Sequence, residues 1–283
     1  MTTETVESLG STRADARGGL GLRFDDVRMH FGTPGDGLEA LRDCSFEVAA
    51  GSFTVVIGPN GSGKSTLLRL AAGLLSPTSG RVTVGARPPR AGDGHVGIGF
   101  QQPRLVPWRS TRDNVALALE LADVPTAQRR SRALIAMQRV GLSGAADLMP
   151  RELSGGMQQR AALGRALVTD PEVLLLDEPF SALDALTRER FNVELQQLWA
   201  ERPLTILLVT HSVPEAIQLA DRVLVMTARP GGVVTSVEVD LPRPRPADVM
   251  SDPVAAARAA DVRAALESSG AEELRPWTQE QAG

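Results

Sequence analysis

Three stretches of the chain are apolar or β-branched at every position and of strand length: residues 53–57 (Phe-Thr-Val-Val-Ile), 173–176 (Val-Leu-Leu-Leu) and 205–210 (Thr-Ile-Leu-Leu-Val-Thr). Uninterrupted runs of this kind predict strands buried on both faces, as in the middle of a parallel sheet, because no position is reserved for water. Residues 80–84 and 95–100 read as further strands. Residues 22–29 and 44–48 predict an antiparallel pair around a turn at 32–37, where Pro34 and Gly35 break regular structure. Leu67, Leu68, Leu70 and Ala71 recur at helical density over 66–73, and a helical pattern takes over at 114–121, 127–140 and 157–168. An Ala/Arg-rich helical stretch follows at 253–268. The class predicted is α/β: a mostly parallel sheet, an antiparallel β subdomain and a helical insertion.

Each of the three buried runs ends on chemically active residues, and open α/β sheets bind ligands at the carboxyl edge of their strands. The first run leads into Gly58, Pro59, Asn60, Gly61, Ser62, Gly63, Lys64, Ser65 and Thr66, a full match to G-x-x-x-x-G-K-[ST] between a strand and a helix. Its glycines let successive N–H groups turn toward one point, and the helix start adds its positive dipole end, so phosphate oxygens are the expected occupant. Lys64 is placed to lie along the β- and γ-phosphates and Ser65 to offer its hydroxyl to Mg²⁺. The second run ends in Asp177, suited to Mg²⁺, and Glu178, suited to orienting water; the third ends at His211. Phe31 closes the strand upstream of the loop and has two readings, a base-stacking ring or a core phenylalanine.

Composition narrows the setting. At 283 residues and 42% hydrophobic, the chain can bury a substantial core. A net charge of -4 argues against a broad cationic surface, so nucleic acid is not expected as a partner. Cys44 stands alone and cannot form an internal disulfide, which suits a reducing cytosol. No apolar window resembles a signal sequence or reaches the ~20 residues that span a bilayer. Lys64 is the only lysine; every other cation of the K/R class is Arg.

Together these residues resemble the ATP-binding subunit of an ABC transporter over about residues 22–241. In that family residues 58–66 correspond to the Walker A loop, Gln101 to the Q-loop glutamine and 153–158 to the signature motif. Residues 173–178 correspond to Walker B, 181–184 to the D-loop and His211 to the switch histidine. The resemblance implies a P-loop NTPase (RecA-like) core, with ATP and Mg²⁺ as cofactors. Glu178, His211, Lys64 and Gln101 become the expected catalytic residues, and Ser65, Gln101 and Asp177 the expected metal ligands. It also makes Phe31 the adenine-stacking aromatic. It further implies a head-to-tail dimer with a second copy of the chain, in which Ser154, Gly155, Gly156 and Asp184 serve the partner's nucleotide.

The expected organisation is a mobile tail at 1–20, the ATP-binding core with its antiparallel subdomain at 21–102 and 165–240, a helical subdomain at 103–164, and a Pro/Arg-rich linker with a helical tail at 241–283. The segments Leu105-Val106-Pro107-Trp108-Arg109 and Leu241-Pro242-Arg243-Pro244-Arg245 are similar to those of nitrate, sulfonate and taurine importers. That likeness implies an integral-membrane permease as partner, a solute-binding protein acting indirectly, and a place on the cytoplasmic face of the membrane. The alternative is a soluble ABC ATPase acting on ribosomes or DNA. A catalytically dead cassette is disfavoured because Lys64, Glu178 and His211 are all present. Trp108 is expected either to pack into the helical subdomain's own core or to line a groove for the permease.

Overall fold

The computed structural model describes residues 19–32, 37–181, 183–202 and 204–269. Most of the expected N-terminal tail, Pro34 and Gly35 of the expected turn, Ala182 and residues 270–283 lie outside the described residues.

β1 (Leu22–Phe31), β2 (Leu38–Val48) and β4 (Ser79–Val84) form a 3-stranded antiparallel sheet in the order β2-β1-β4. β2 is longer than the expected strand at 44–48. Register shifts interrupt its pairing with β1, and Asp26 and Asp43 take positive φ, so the chain stays paired where simple alternation fails. Phe24 and Phe46 stack with ring centroids 4.4 Å apart on the buried face.

The second sheet has 6 strands in the order β5-β6-β7-β3-β8-β9, from β3 (Phe53–Ile57), β5 (Val96–Gly99), β6 (Val173–Asp177), β7 (Thr205–Thr210), β8 (Arg222–Met226) and β9 (Val233–Glu238). β5, β6, β7, β3 and β8 run parallel, and β9 closes the edge antiparallel to β8. Every residue of β3 and β7 is buried, as their uninterrupted runs require. Val56 pairs with Val209 on one side and Leu224 on the other, which puts the phosphate-loop strand inside the sheet.

α1 (Lys64–Ala71) follows the loop and packs between the two sheets; it begins two residues before the expected start because Gly63 serves as its N-cap. α2 (Thr111–Leu121), α3 (Thr126–Arg139) and α4 (Gly155–Leu167) pack together around Val115, Leu119, Ala133, Met137 and Ala161. α5 (Ala185–Ala200) and α6 (Val213–Leu219) lie against the same core, and α7 (Pro253–Ser268) covers α6, β8 and β9 through Ala255, Ala259, Val262 and Leu266.

The Pro/Arg-rich stretch before α7 is tightly packed. Arg245 is 2% exposed and donates to the carbonyls of Ile217 (2.7 Å), Ala220 (2.5 Å), Val239 (2.8 Å) and Leu241 (3.3 Å). Burial, and then the charge of Arg243, pull its pKa down to about 10. Arg243 lies over the Trp199 ring at 4.4 Å and pairs with Asp221 at 2.9 Å. The two arginines tie the end of α6 and the β9 strand to the segment that launches α7.

Among the described residues, no helix is long and apolar enough to cross a membrane.

Candidate nucleotide site

Gly58, Pro59, Asn60, Gly61, Gly63, Lys64, Ser65 and Thr66 line a cleft of about 550 Å³ together with Phe31, Gln101, Glu178 and His211. Ser62 is the loop residue that does not line it: its side chain is fully buried, and its N–H donates to the Pro59 carbonyl at 3.3 Å. Gly63 has φ 86°, and no side chain caps α1 behind it. The first N–H groups of that helix are therefore donors in want of an acceptor, on the residue type that bears a left-handed backbone without strain. An anion fits there.

Lys64 is 7% exposed and donates from Nζ to the carbonyls of Gly58 and Pro59, both at 2.8 Å. Burial lowers its pKa, against the raising effect of Glu178 and Asp177.

Behind the loop, Ser65 Oγ donates to Asp177 Oδ1 at 3.1 Å. Burial raises the Asp177 pKa; the Ser65 bond opposes the shift and the neighbouring Glu178 carboxylate adds to it. A half-buried carboxylate beside a hydroxyl is a hard-oxygen pair that a divalent cation would relieve. Among the described residues no group of three or more His, Cys, Asp or Glu could hold a metal alone. The Ser65–Asp177 pair itself suits Mg²⁺, which takes one or two carboxylates and completes its shell with water and substrate phosphates.

Glu178 follows the end of β6 with φ 43°, its N–H held by the Val209 carbonyl at 2.9 Å. A side chain other than Gly, Asn or Asp pays for such a backbone in strain, and surrounding structure must impose it. Here β7 supplies the restraint. The carboxylate faces His211 Nδ1 at 3.3 Å and Gln101 Nε2 at 3.4 Å. His211 sits ahead of α6, whose N-cap Ser212 accepts from the Glu215 N–H. Gln101 is anchored through its carbonyl, which accepts from Gln159 Nε2 at 2.8 Å.

Phe31 is 36% exposed and lines the cleft, so the core reading of this ring does not describe it. Ser154, Gly155, Gly156 and Asp184 are not brought into the cleft of their own chain. Ser154 and Gly155 are exposed at the start of α4, where Ser154 accepts from the Met157 N–H, and Asp184 N-caps α5. Three cleft residues had no motif to announce them: Leu38 and Ala40 on β2, and Arg229 in the turn after β8.

A phosphate loop at the carboxyl edge of a mixed six-stranded sheet, with facing acids and a helical insertion, defines a P-loop NTPase. The family model described as ABC transporter matches residues 41–181. Nitrate import ATP-binding protein NrtD of Synechococcus elongatus is 44% identical over 250 residues, covering 87% of this chain and 90% of the relative. Aliphatic sulfonates import ATP-binding protein SsuB of Bacillus licheniformis is 45% identical, covering 72% and 79%. Taurine import ATP-binding protein TauB of Pseudomonas aeruginosa is 44% identical, covering 78% and 84%. Among solved structures, the ATP-binding cassette MJ0796, in a dimeric post-hydrolysis state bound to ADP and Pi, matches with TM-score 0.69 at 30% identity, covering 78% of this chain and 99% of that one. The chain belongs to the ABC transporter ATP-binding family, and it is an ATPase.

Proposed function

We propose that this chain is the ATP-hydrolysing subunit of an importer for nitrate, a sulfonate, taurine or a similar small solute, bound peripherally to a membrane permease on its cytoplasmic face. The importer part of the reading is supported by the nitrate, sulfonate and taurine relatives, and one observation carries the ATP-hydrolysing part: Lys64, Ser65, Glu178 and His211 meet in one cleft, while Ser154 and Gly155 stand exposed outside it. Half of the site is presented outward, for a second copy of the chain. In the closed pair, Ser154, Gly155, Gly156 and Asp184 would meet the partner's nucleotide. Glu178 would orient and deprotonate the attacking water, held in place by His211. Lys64 and the loop N–H groups would stabilise the charge that develops on the phosphate. Ser65, Asp177 and Gln101 would hold Mg²⁺, whose chemistry there is to neutralise phosphate oxygens.

Phe31 would stack on the base. Phe31→Ala is expected to weaken ATP and GTP alike, by roughly 1 to 3 kcal/mol, because stacking does not read base edges. Titration calorimetry with both nucleotides checks this; a fall in melting temperature with affinity unchanged would return Phe31 to a packing role.

The permease contact would centre on Trp108. Its side chain is 76% exposed, which removes the reading that it packs into this chain's own core. The loop around it is fastened. Buried Asn114 donates to the carbonyls of Val106, Arg109 and Ser110, each at 3.1 Å, and accepts from the Val106 N–H at 2.6 Å. Arg165 donates to the carbonyls of Pro103 (2.6 Å) and Arg104 (3.0 Å). A large aromatic held out to solvent on a fixed loop has the character of an interface anchor, whose truncation typically costs about 2 kcal/mol or more. Trp108→Ala is expected to leave basal ATPase and the melting temperature of the isolated subunit intact while abolishing permease-stimulated turnover and co-purification with membranes. Normal assembly and stimulation in that variant would defeat the importer reading at this surface.

A further inference from the structure

The turn joining β8 to β9 carries a cation that the catalytic scheme does not use. Arg229 lines the cleft beside Phe31, Leu38, Ala40 and Gly61. Its Nη2 lies 3.0 Å from the point where a Cβ on Gly61 would sit. Among the described residues no hydrogen-bond or ion-pair partner accompanies its guanidinium, whereas Arg23, Arg28, Arg42, Arg222 and Arg243 on and beside the two sheets each pair with an acidic side chain.

The backbone that presents Arg229 is fixed on both sides. Gly231 N–H donates to the Ala40 carbonyl at 3.1 Å, and Arg42 N–H donates to the Gly231 carbonyl at 2.9 Å, which fastens the turn to β2. Thr227 Oγ1 donates to the Pro230 carbonyl at 3.1 Å and accepts from the Gly232 N–H at 3.0 Å, closing the turn on itself. On the other side, Gly231 lies so close to the phosphate loop that a Cβ there would fall 1.8 Å from the Ser62 carbonyl oxygen. Only glycine allows that approach. A turn bonded to β2 and packed against the phosphate loop thus holds a long side chain at the cleft, its charge without a partner among the described residues.

The lining falls into two groups: Glu178 faces His211 and Gln101, while Phe31 and Leu38 pair across β1 and β2, two residues from Ala40. Lys64, the loop's own cation, is recessed against the Gly58 and Pro59 carbonyls. Arg229 belongs with the second group: its turn bonds Ala40 on β2, the strand whose Leu38 pairs with Phe31, and its guanidinium reaches Gly61 of the loop. A guanidinium presents a planar fork of donors matched to phosphate oxygens, and charge-assisted bonds of this type are about twice as strong as neutral ones. We propose that Arg229 is an additional nucleotide-binding residue, its guanidinium bonding the phosphate oxygens nearest the ribose, which ATP and ADP share. The proposal rests on residues 58–66 being the nucleotide loop.

Calorimetric titration of ATP and ADP into the full chain and its Arg229→Ala, Arg229→Lys and Lys64→Ala variants tests it. Arg229→Ala is expected to weaken ATP and ADP equally, by about tenfold or more, with Arg229→Lys recovering part of the loss. Displacement of a fluorescent nucleotide by adenosine, which lacks phosphate, should be the same in wild type and Arg229→Ala. The melting temperature without nucleotide should also stay put, since no bond within the described residues is removed. Affinities within twofold of wild type in Arg229→Ala, with binding lost in Lys64→Ala, would overturn the role of Arg229 and leave the loop reading standing. Unchanged affinity in both alanine variants would overturn the two together. Weakening of ATP alone, or of adenosine to the same degree, would overturn the assignment to the shared phosphates.

Discussion

Glu178→Gln is expected to lower ATP turnover by roughly a hundred- to ten-thousand-fold, the range that a positioned general base contributes. The substitution keeps the volume of the side chain and its capacity to face His211 and Gln101, now 3.3 Å and 3.4 Å from the carboxylate, and takes away the basic oxygen. The strained backbone at this position survives, because what imposes it is the N–H bond to Val209, which does not involve the side chain. Nucleotide binding should therefore persist. Size-exclusion chromatography with Mg²⁺-ATP should show more dimer than wild type, since the nucleotide holding the pair together is no longer consumed. Turnover within a factor of two would mean that less than ~0.5 kcal/mol of barrier depends on the group, and the assignment of Glu178 would fall.

Arg245→Ala is expected to destabilise the chain by about 3–5 kcal/mol, the cost of taking one partner out of a buried, charged hydrogen-bond cluster. Four carbonyls now share one guanidinium. They belong to residues in or just beyond α6 and β9, of which Ile217, Ala220 and Val239 are buried, so each buried acceptor left orphaned carries a desolvation cost of about 1–3 kcal/mol before relaxation. Alanine also leaves a void where one of the largest fully buried side chains was. Arg245→Lys should fall between the two, because a single ammonium cannot span acceptors on both sides of a planar fork. Urea denaturation monitored by circular dichroism measures both, with the slope confirming that the unfolding transition is unchanged in kind. A loss under about 1 kcal/mol in the alanine variant would show the cluster to be redundant.

What the sequence disclosed depends on whether a residue's partners are near it in the chain. β3 and β7 occupy the ranges of their uninterrupted runs, and α7 that of its Ala/Arg-rich stretch. Asp177, Glu178 and His211 were legible because each sits at the end of such a run, and Lys64 and Ser65 because the G-x-x-x-x-G-K-[ST] match follows one. β8 follows the same rule, so a count of three buried runs was short. α5 is a different case. Its buried face includes Asn192 and Gln196 beside Phe191, Leu195 and Trp199, which blurs the apolar stripe of an ordinary amphipathic helix. Those polar groups are buried because Gln218 accepts from Asn192 and because Gln196 exchanges bonds with the backbone of Arg245. No local pattern can show a partner on another element. Arg229, Leu38 and Ala40 escaped notice for the same reason. They reach the cleft only through the contact of the β8–β9 turn with β2, and nothing about a Thr-Ala-Arg-Pro-Gly-Gly turn says which loop it will lean on.

The solitary lysine has a consequence for chemistry done on the protein. Apart from the α-amino group, Lys64 is the only primary amine in the chain. Burial lowers its pKa, which favours the acylable free amine, yet leaves it only 7% exposed, with Nζ turned onto the Gly58 and Pro59 carbonyls. Amine-directed reagents such as succinimidyl esters, which on most proteins decorate the surface at random, are thereby reduced to a terminus and a single protected nitrogen. Acylation at that nitrogen then becomes a direct gauge of reagent access to the cleft, and coupling through amines to a resin or dye favours attachment at the terminus wherever Lys64 keeps its two carbonyl bonds.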